Sequence, residues 1–206
     1  MELGKDRVRS ELIKCRKDFK YFALRYLKIV NTSGEIVNLK LNQPQIEIID
    51  SVDGSFQTMV LKARKLGSST VIAGYIFWKA LFKKNTRVAV VAHTDEAAKE
   101  LFTIYQHFYK NLPNEMRPKA IKNRHNELNL VTGSKIKIGS ADSDSFRGQT
   151  YQYIHASEYA FWSNVEKTIA SLFQTADANA SIVLESTANG LNGAYDLWVN
   201  DAGYKK

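Results

Sequence analysis

The sequence has a single cysteine, Cys15, so no disulfide can form within the chain, and a reducing compartment suits it. Its four histidines are scattered, and with one cysteine they make no zinc-binding pattern. No apolar stretch is long enough to span a membrane: the longest, Val71 to Phe82, is interrupted by Lys79. The first residues, Met1 to Asp6, lack the apolar centre of a secretory signal. There is no low-complexity tract and no internal repeat. What is present, 206 residues at 44% hydrophobic and 24% charged, has the make-up of a soluble globular domain with one sizeable core.

Acidic residues are in the minority, 21 against 29 Lys and Arg, for a formal charge of +8. A basic balance of this kind suits a polyanionic partner, although it speaks of surface and not of fold. The excess is regional. Residues 1–30 carry nine Lys or Arg against four Asp or Glu, and residues 110–137 carry seven against two. Residues 138–201 reverse the ratio, with two against eight. Each basic stretch reads equally as a solvated face or as a nucleic-acid contact. Few aromatics lie among the basic residues of 110–137, which favours backbone contact over base stacking.

Hydrophobic spacing predicts a helix over residues 9–28, with Leu12, Cys15, Phe19, Phe22, Tyr26 and Leu27 on one face, then a turn at Asn31–Gly34. Asn42-Gln43-Pro44 opens a second helix, closed by Asp53-Gly54. Thr58–Leu61 is a short strand, Lys62–Ser68 a loop, and Ser69–Lys83 a helix apolar on nearly every side. Thr86–Ala92 reads as a buried parallel strand. Thr94 caps the helix that follows, with Asp95 and Glu96 in its first turn. Residues 127–138 read as a hairpin around Thr132-Gly133-Ser134. A strand at Tyr151–His155, a helix near 165–176 and a strand at Ser181–Glu185 complete the pattern. Strands alternating with helices predict a mainly parallel sheet with helices on both faces, in one domain: a helical region to residue 57, then a core over 58–206.

A phosphate site needs converging backbone N–H groups, a helix N-terminus and a hydroxyl for magnesium. Lys62-Ala63-Arg64-Lys65-Leu66-Gly67-Ser68-Ser69-Thr70 lies between a strand and a helix, as the phosphate-loop pattern requires. Gly67 stands at the second glycine and Ser69 at the magnesium hydroxyl. Lys62 replaces the first glycine and Ser68 the usual lysine. The phosphate-binding cation is therefore Lys62 or, failing that, Lys65, and Arg64 can reach a γ-phosphate bidentately. On the strand ending His155-Ala156-Ser157-Glu158, Glu158 suits the carboxylate that orients an attacking water. Ser157 stands where an aspartate is usual, so it would hold magnesium partly through water. Ser186-Thr187-Ala188-Asn189-Gly190 leaves another strand at the sheet edge where ligands bind, with hydroxyls and an amide able to sense a γ-phosphate. Arg147, beside Gly148 in a polar loop, is a candidate arginine finger, in cis or across a subunit interface, or a plain surface residue.

Taken in order, these pieces resemble the ATPase domain of the large terminase subunit of tailed bacteriophages. Cys15, Asp18, Tyr21-Phe22, Tyr26-Leu27 and Ile29 are similar to that family's opening helix. Leu41-Asn42-Gln43-Pro44-Gln45 resembles its adenine motif, and Lys62–Thr70 its variant Walker A loop with an early lysine. Ala92-His93-Thr94 with Ala97-Ala98 resembles the motif after the second strand. Ala156-Ser157-Glu158 with Ala160-Phe161-Trp162 resembles a Walker B variant, and Ser186–Gly190 the coupling motif. The resemblance implies an additional-strand P-loop fold, with a strand between those of Walker A and Walker B. It implies ATP and Mg2+ as cofactors, with Gln43 or Gln45 at adenine. Lys62, Lys65, Arg64, Gly67, Ser68, Ser69 and Thr70 would lie about the phosphates and metal. Glu158 would act at the water, and Ser186, Thr187 and Asn189 would couple hydrolysis to movement of double-stranded DNA into a procapsid. It further implies a ring of subunits working with a portal protein and a small terminase subunit, in the host cytoplasm on the procapsid and on no membrane. The family's nuclease domain is expected to be absent from these residues. Two other classes stay open: a helicase-like translocase outside packaging, and a P-loop module that binds nucleotide or DNA without turnover.

Overall fold

The computed structural model describes residues 2–200 and 203–206. The predicted first helix is two. Helix α1 (Glu2–Lys17) stops at Asp18, whose side chain accepts a hydrogen bond from the Tyr21 N–H at 3.0 Å and so starts α2 (Phe19–Tyr26). A short carboxylate competes well for the free N–H groups of a helix start, and here it breaks the helix while the apolar stripe continues through it. Cys15, Phe19, Phe22 and Leu27 are buried nonetheless, because both helices pack on the same face. Two short strands, β1 (Lys28–Val30) and β2 (Ile36–Asn38), pair antiparallel around the expected turn. Helix α3 (Gln43–Val52) begins with a capping box: Asn42 accepts from the Gln45 N–H, and Gln45 accepts from the Asn42 N–H.

The main sheet is formed by β3 (Gln57–Leu61), β4 (Arg87–Ala92), β5 (Ala120–Arg124), β6 (Glu127–Leu130), β7 (Lys135–Ser140), β8 (Tyr151–Ser157) and β9 (Ala176–Ser186). Its order is β3-β9-β8-β4-β7-β6-β5. The first five strands in that order run parallel, and β6 and β5 extend the far edge antiparallel. Strand β9 lies between β3 and β8, which is the additional-strand arrangement. The expected hairpin forms, with Gly133 at φ +84, and its second strand β7 is also the parallel partner of β4. Strand β5 lies within the basic stretch of 110–137, where polar side chains hid it from periodicity.

Helices α4 (Ser68–Phe82), α5 (Asp95–Asn111), α6 (Val165–Phe173) and α7 (Gly193–Asn200) cover the sheet. Strand β4 divides its side chains between two cores: Val88, Val90 and Ala92 face α4 and α5, while Ala89 and Val91 face the side of α6 and α7. Burial on both faces explains its uninterrupted apolar sequence. Eleven of the fifteen residues of α4 are buried, so its lack of amphipathicity reflects a helix wrapped on all sides. Each fully buried large aliphatic or aromatic side chain there contributes roughly 1.5–3 kcal/mol. Among the described helices none is long and apolar enough to cross a membrane. The consequence for function is positional: β3, β4, β7, β8 and β9 all end at one sheet edge.

Candidate functional site

The loop after β3 delivers the chain into α4 through two left-handed residues, Lys65 at φ +63 and Gly67 at φ +71. Gly67 is the N-cap of α4, and no side chain caps that helix start. Its first N–H groups and the positive end of its dipole therefore face the space above the sheet edge. The Val71 N–H closes the first turn on the Gly67 carbonyl at 3.0 Å. A Cβ at position 67 would meet Gln45 Nε2 at 2.7 Å, so glycine is required by both conformation and space.

Three charged side chains meet beneath this loop. Lys62 Nζ donates to Glu158 Oε1 at 2.7 Å, across 96 residues of sequence. The same ammonium lies 2.9 Å from Glu185 Oε2, an ion pair without hydrogen-bond alignment. Glu185 is completely buried. Its Oε1 accepts from the Ser69 and Ser157 hydroxyls, each at 2.7 Å, and His155 Nε2 lies 3.4 Å from the same oxygen. Burial alone would push the Glu185 carboxyl up, but His155, Lys62 and the Ser69 hydroxyl together hold it down, at about 2. Burial would likewise lower the Lys62 ammonium, yet Glu185 and Glu158 outweigh it and leave its pKa raised. Glu158 itself sits at φ +51, directly after β8, which turns its carboxylate back over the sheet.

The polar loop after β9 closes on Glu158. The Thr187 N–H donates to Glu158 Oε2 at 3.2 Å, and the Ser186 and Thr187 hydroxyls reach that oxygen at 3.3 and 3.4 Å. Asn189 Nδ2 and Asn192 Nδ2 both donate to the Ala160 carbonyl at 2.9 Å, in the short turn Tyr159–Phe161. Both oxygens of Glu158 are thus engaged, one by Lys62 after β3 and one by the loop after β9.

With this arrangement in view, comparison with known proteins is decisive. Residues 59–205 match the family described as terminase large subunit, T4likevirus-type, N-terminal. The chain belongs to the large terminase subunit family. Among solved structures, the large terminase of bacteriophage HK97 superposes with a TM-score of 0.72 at 17% identity, covering 91% of this chain and 41% of that one. The ATPase domain of the Thermus phage P74-26 large terminase superposes at 0.56 with 19% identity, covering 77% of this chain and 69% of that one. The large terminase of the thermophilic bacteriophage D6E in complex with ADP superposes at 0.54 with 14% identity, covering 70% and 38%. These likenesses carry the fold. The chain spans less than half the length of the HK97 and D6E terminases it matches.

The remaining candidate residues stand in different settings relative to this cluster. Gln45 is buried and committed at both ends of its amide: besides the capping box, its Nε2 donates to the Leu66 carbonyl at 3.0 Å. It ties the start of α3 to the loop between β3 and α4. Gln43 is exposed and donates to Glu47 one turn on. Ser68 is buried with no hydrogen-bond partner for its hydroxyl. Thr70 lines a cavity beside Ile29, Thr103 and His107, on the α5 side of α4. Arg64 and Lys65 are exposed on the loop. Arg147 lies apart from the Lys62 cluster, exposed at a cavity of about 240 Å³ that Asp142, Asn164, Lys167 and Thr168 also line.

Sequence reasoning missed Glu185 and His155 as members of this cluster. The signal for Glu185 was present: a carboxylate inside an apolar strand is seldom buried unless paired.

Proposed function

We propose that this chain is the ATP-hydrolysing motor domain of a large terminase, using ATP and Mg2+ to drive double-stranded DNA into a procapsid. The observation that carries the reading is the pairing of Lys62 with Glu158, joined through Glu185 to Ser69 in the uncapped first turn of α4. Phosphoryl transfer needs a cation for the phosphates and a carboxylate for the water side by side, and Lys62 and Glu158 meet at 2.7 Å at the ends of β3 and β8.

In this reading the α4 N-terminus and the backbone around Gly67 cradle the phosphates. Lys62 exchanges its carboxylate contacts for β- and γ-phosphate oxygens, with Lys65 and Arg64 above it on the loop. Ser68 and Thr70 complete the helix start. Among the described residues no group of three or more His, Cys, Asp or Glu could hold a metal ion alone. Magnesium would therefore arrive with the nucleotide, on phosphate oxygens and the Ser69 hydroxyl, with Ser157 acting through water. The residues fit that mode, and the ion would supply charge neutralisation at the phosphates. Glu158, released by Lys62, accepts a hydrogen bond from the attacking water and aligns it. Ser186 and Thr187, already on Glu158, pass that change to Asn189 and the Tyr159–Phe161 turn, which couples turnover to movement. Gln43 is the better placed of the two glutamines to contact adenine, since Gln45 is occupied. Arg147 acts from outside the cluster, as a finger in cis or from a neighbouring subunit.

The working assembly in this reading is a ring of subunits with portal protein and small terminase subunit, in the host cytoplasm on the procapsid. Residues 1–57 form the adenine-side helical region and 58–206 the P-loop core of one ATPase domain. The test is DNA-stimulated phosphate release beside ATP binding. Expected for Glu158→Gln is a loss of turnover of about 100-fold or more with ATP still bound. Equal turnover by wild type and variant would end the reading.

A further inference from the structure

Glu185 is a fully buried carboxylate near the C-terminal end of β9. A carboxylate in that position is retained only where partners and use justify it. Two of its partners are telling. Ser69 occupies the phosphate-loop position whose hydroxyl meets magnesium. Ser157 occupies the strand-end position where an aspartate is usual in this kind of site. Both hydroxyls donate to the same oxygen, Glu185 Oε1, at 2.7 Å. Ser157 and Glu185 are also direct register partners on the parallel strands β8 and β9.

We propose that Glu185 takes the metal-organising role of the missing aspartate, holding the Mg2+ of bound ATP through water and the Ser69 hydroxyl. The inference rests on the ATP-binding reading above. The carboxylate has moved sideways by one strand. Neighbouring strands lie about 4.8 Å apart, and the 2.7 Å hydrogen bond from the Ser157 hydroxyl to Glu185 Oε1 shows that the glutamate carboxylate lies directly beside the Ser157 side chain. A second observation concerns the other carboxylate oxygen. Glu185 Oε2 accepts no hydrogen bond among the described residues, although it is buried. Its neighbour is the Lys62 ammonium at 2.9 Å, the group that would swing to phosphate. On that swing Glu185 Oε2 would lose its ion-pair partner, and a buried carboxylate oxygen would need another, which the metal and its water could supply. Glu185 is thus a positioning residue, acting on the metal through the Ser69 hydroxyl and water. A single carboxylate working this way also agrees with the absence of a three-residue metal cluster among the described residues.

The experiment uses Mn2+ as the probe, followed by electron paramagnetic resonance with saturating ATPγS, beside ATPγS binding in EDTA. Expected for Glu185→Gln is a loss of Mn2+ affinity of at least tenfold when each protein is saturated with ATPγS. Adding Ser157→Asp to that variant is expected to recover most of the loss, by returning a carboxylate to the neighbouring strand. Wild-type Mn2+ affinity in a folded Glu185→Gln chain, or no recovery in a folded double variant, would overturn the proposal. If Glu185→Gln does not fold by circular dichroism, Glu185→Asp keeps the charge and shortens the reach. Its expected Mn2+ loss is several-fold, and an unchanged affinity would equally overturn the role. Failure of wild type to bind ATPγS under either condition would bring down the ATP-binding reading, and this inference with it.

Discussion

Lys62 and Lys65 stand three residues apart in one loop, and their surroundings differ in nearly every respect that matters to a cation. Lys62 is largely buried and held between Glu158 and Glu185 at 2.7 and 2.9 Å. Lys65 is exposed and sits at φ +63, a conformation that costs a non-glycine residue about 1–2 kcal/mol. The difference teaches where the loop stores positional accuracy. Its first residue is fixed by charge and register at the end of a sheet strand, its last by a glycine cap and Gln45, and its middle is set by backbone alone. A lysine whose ammonium is pre-aimed loses less freedom when it meets phosphate.

The largest expected effect separates the two lysines. Lys62→Ala is expected to lower DNA-stimulated phosphate release about a thousandfold, equivalent to about 4 kcal/mol of transition-state stabilisation. Lys65→Ala should change it by less than about fivefold. Matching losses in steady-state assays would erase the distinction.

Next in size is the acid stability of the Lys62 end. The Glu185 carboxyl is held at about 2 in the fold, against an ordinary 4.5. A depressed carboxyl stabilises the folded form above about pH 4.5 and loses that contribution as pH falls toward 2. The contribution is on the order of 3 kcal/mol. Urea unfolding between pH 6 and pH 3 should therefore weaken more steeply in wild type than in Glu185→Gln. Parallel slopes would show that Glu185 is not held low by its partners.

The two ends of the loop differ in legibility as well. Lys62, Ser69, Ser157 and Glu158 were readable as candidates because each fills, or visibly departs from, a spaced pattern between strand and helix. The structure brings all four into one cluster, held by hydrogen bonds and by the Lys62–Glu185 ion pair. Glu185 was not readable as a partner, since its role depends on β9 entering the sheet between β3 and β8, and strand order is not a local property. The parallel core was legible from buried apolar strands such as Val88–Val91. Strand β5 was not, because its edge position leaves Lys122 and Arg124 where a central strand would show apolar residues. The break at Asp18 was hidden by an apolar stripe that runs straight through it.

The smallest effect concerns the glycine end. Gly67→Ala adds a Cβ 2.7 Å from Gln45 Nε2 at a positive φ, whereas Gly54→Ala, at φ +76, meets nothing within 4 Å. The second should carry only backbone strain, about 1 kcal/mol. The first should lose roughly 1 kcal/mol more, a further fall in Tm of about 2–4 °C in differential scanning calorimetry. Equal falls would mean that Gln45 does not brace the loop.

The most direct measurement is a crystal structure of this chain with a non-hydrolysable ATP analogue and Mg2+. Expected is Lys62 Nζ within hydrogen-bonding distance of a β- or γ-phosphate oxygen, with Glu158 Oε1 no longer bound to it. Lys62 still on Glu158 and Glu185, with the triphosphate held by Lys65 or Arg64 instead, would contradict the assignment of Lys62 as the phosphate lysine.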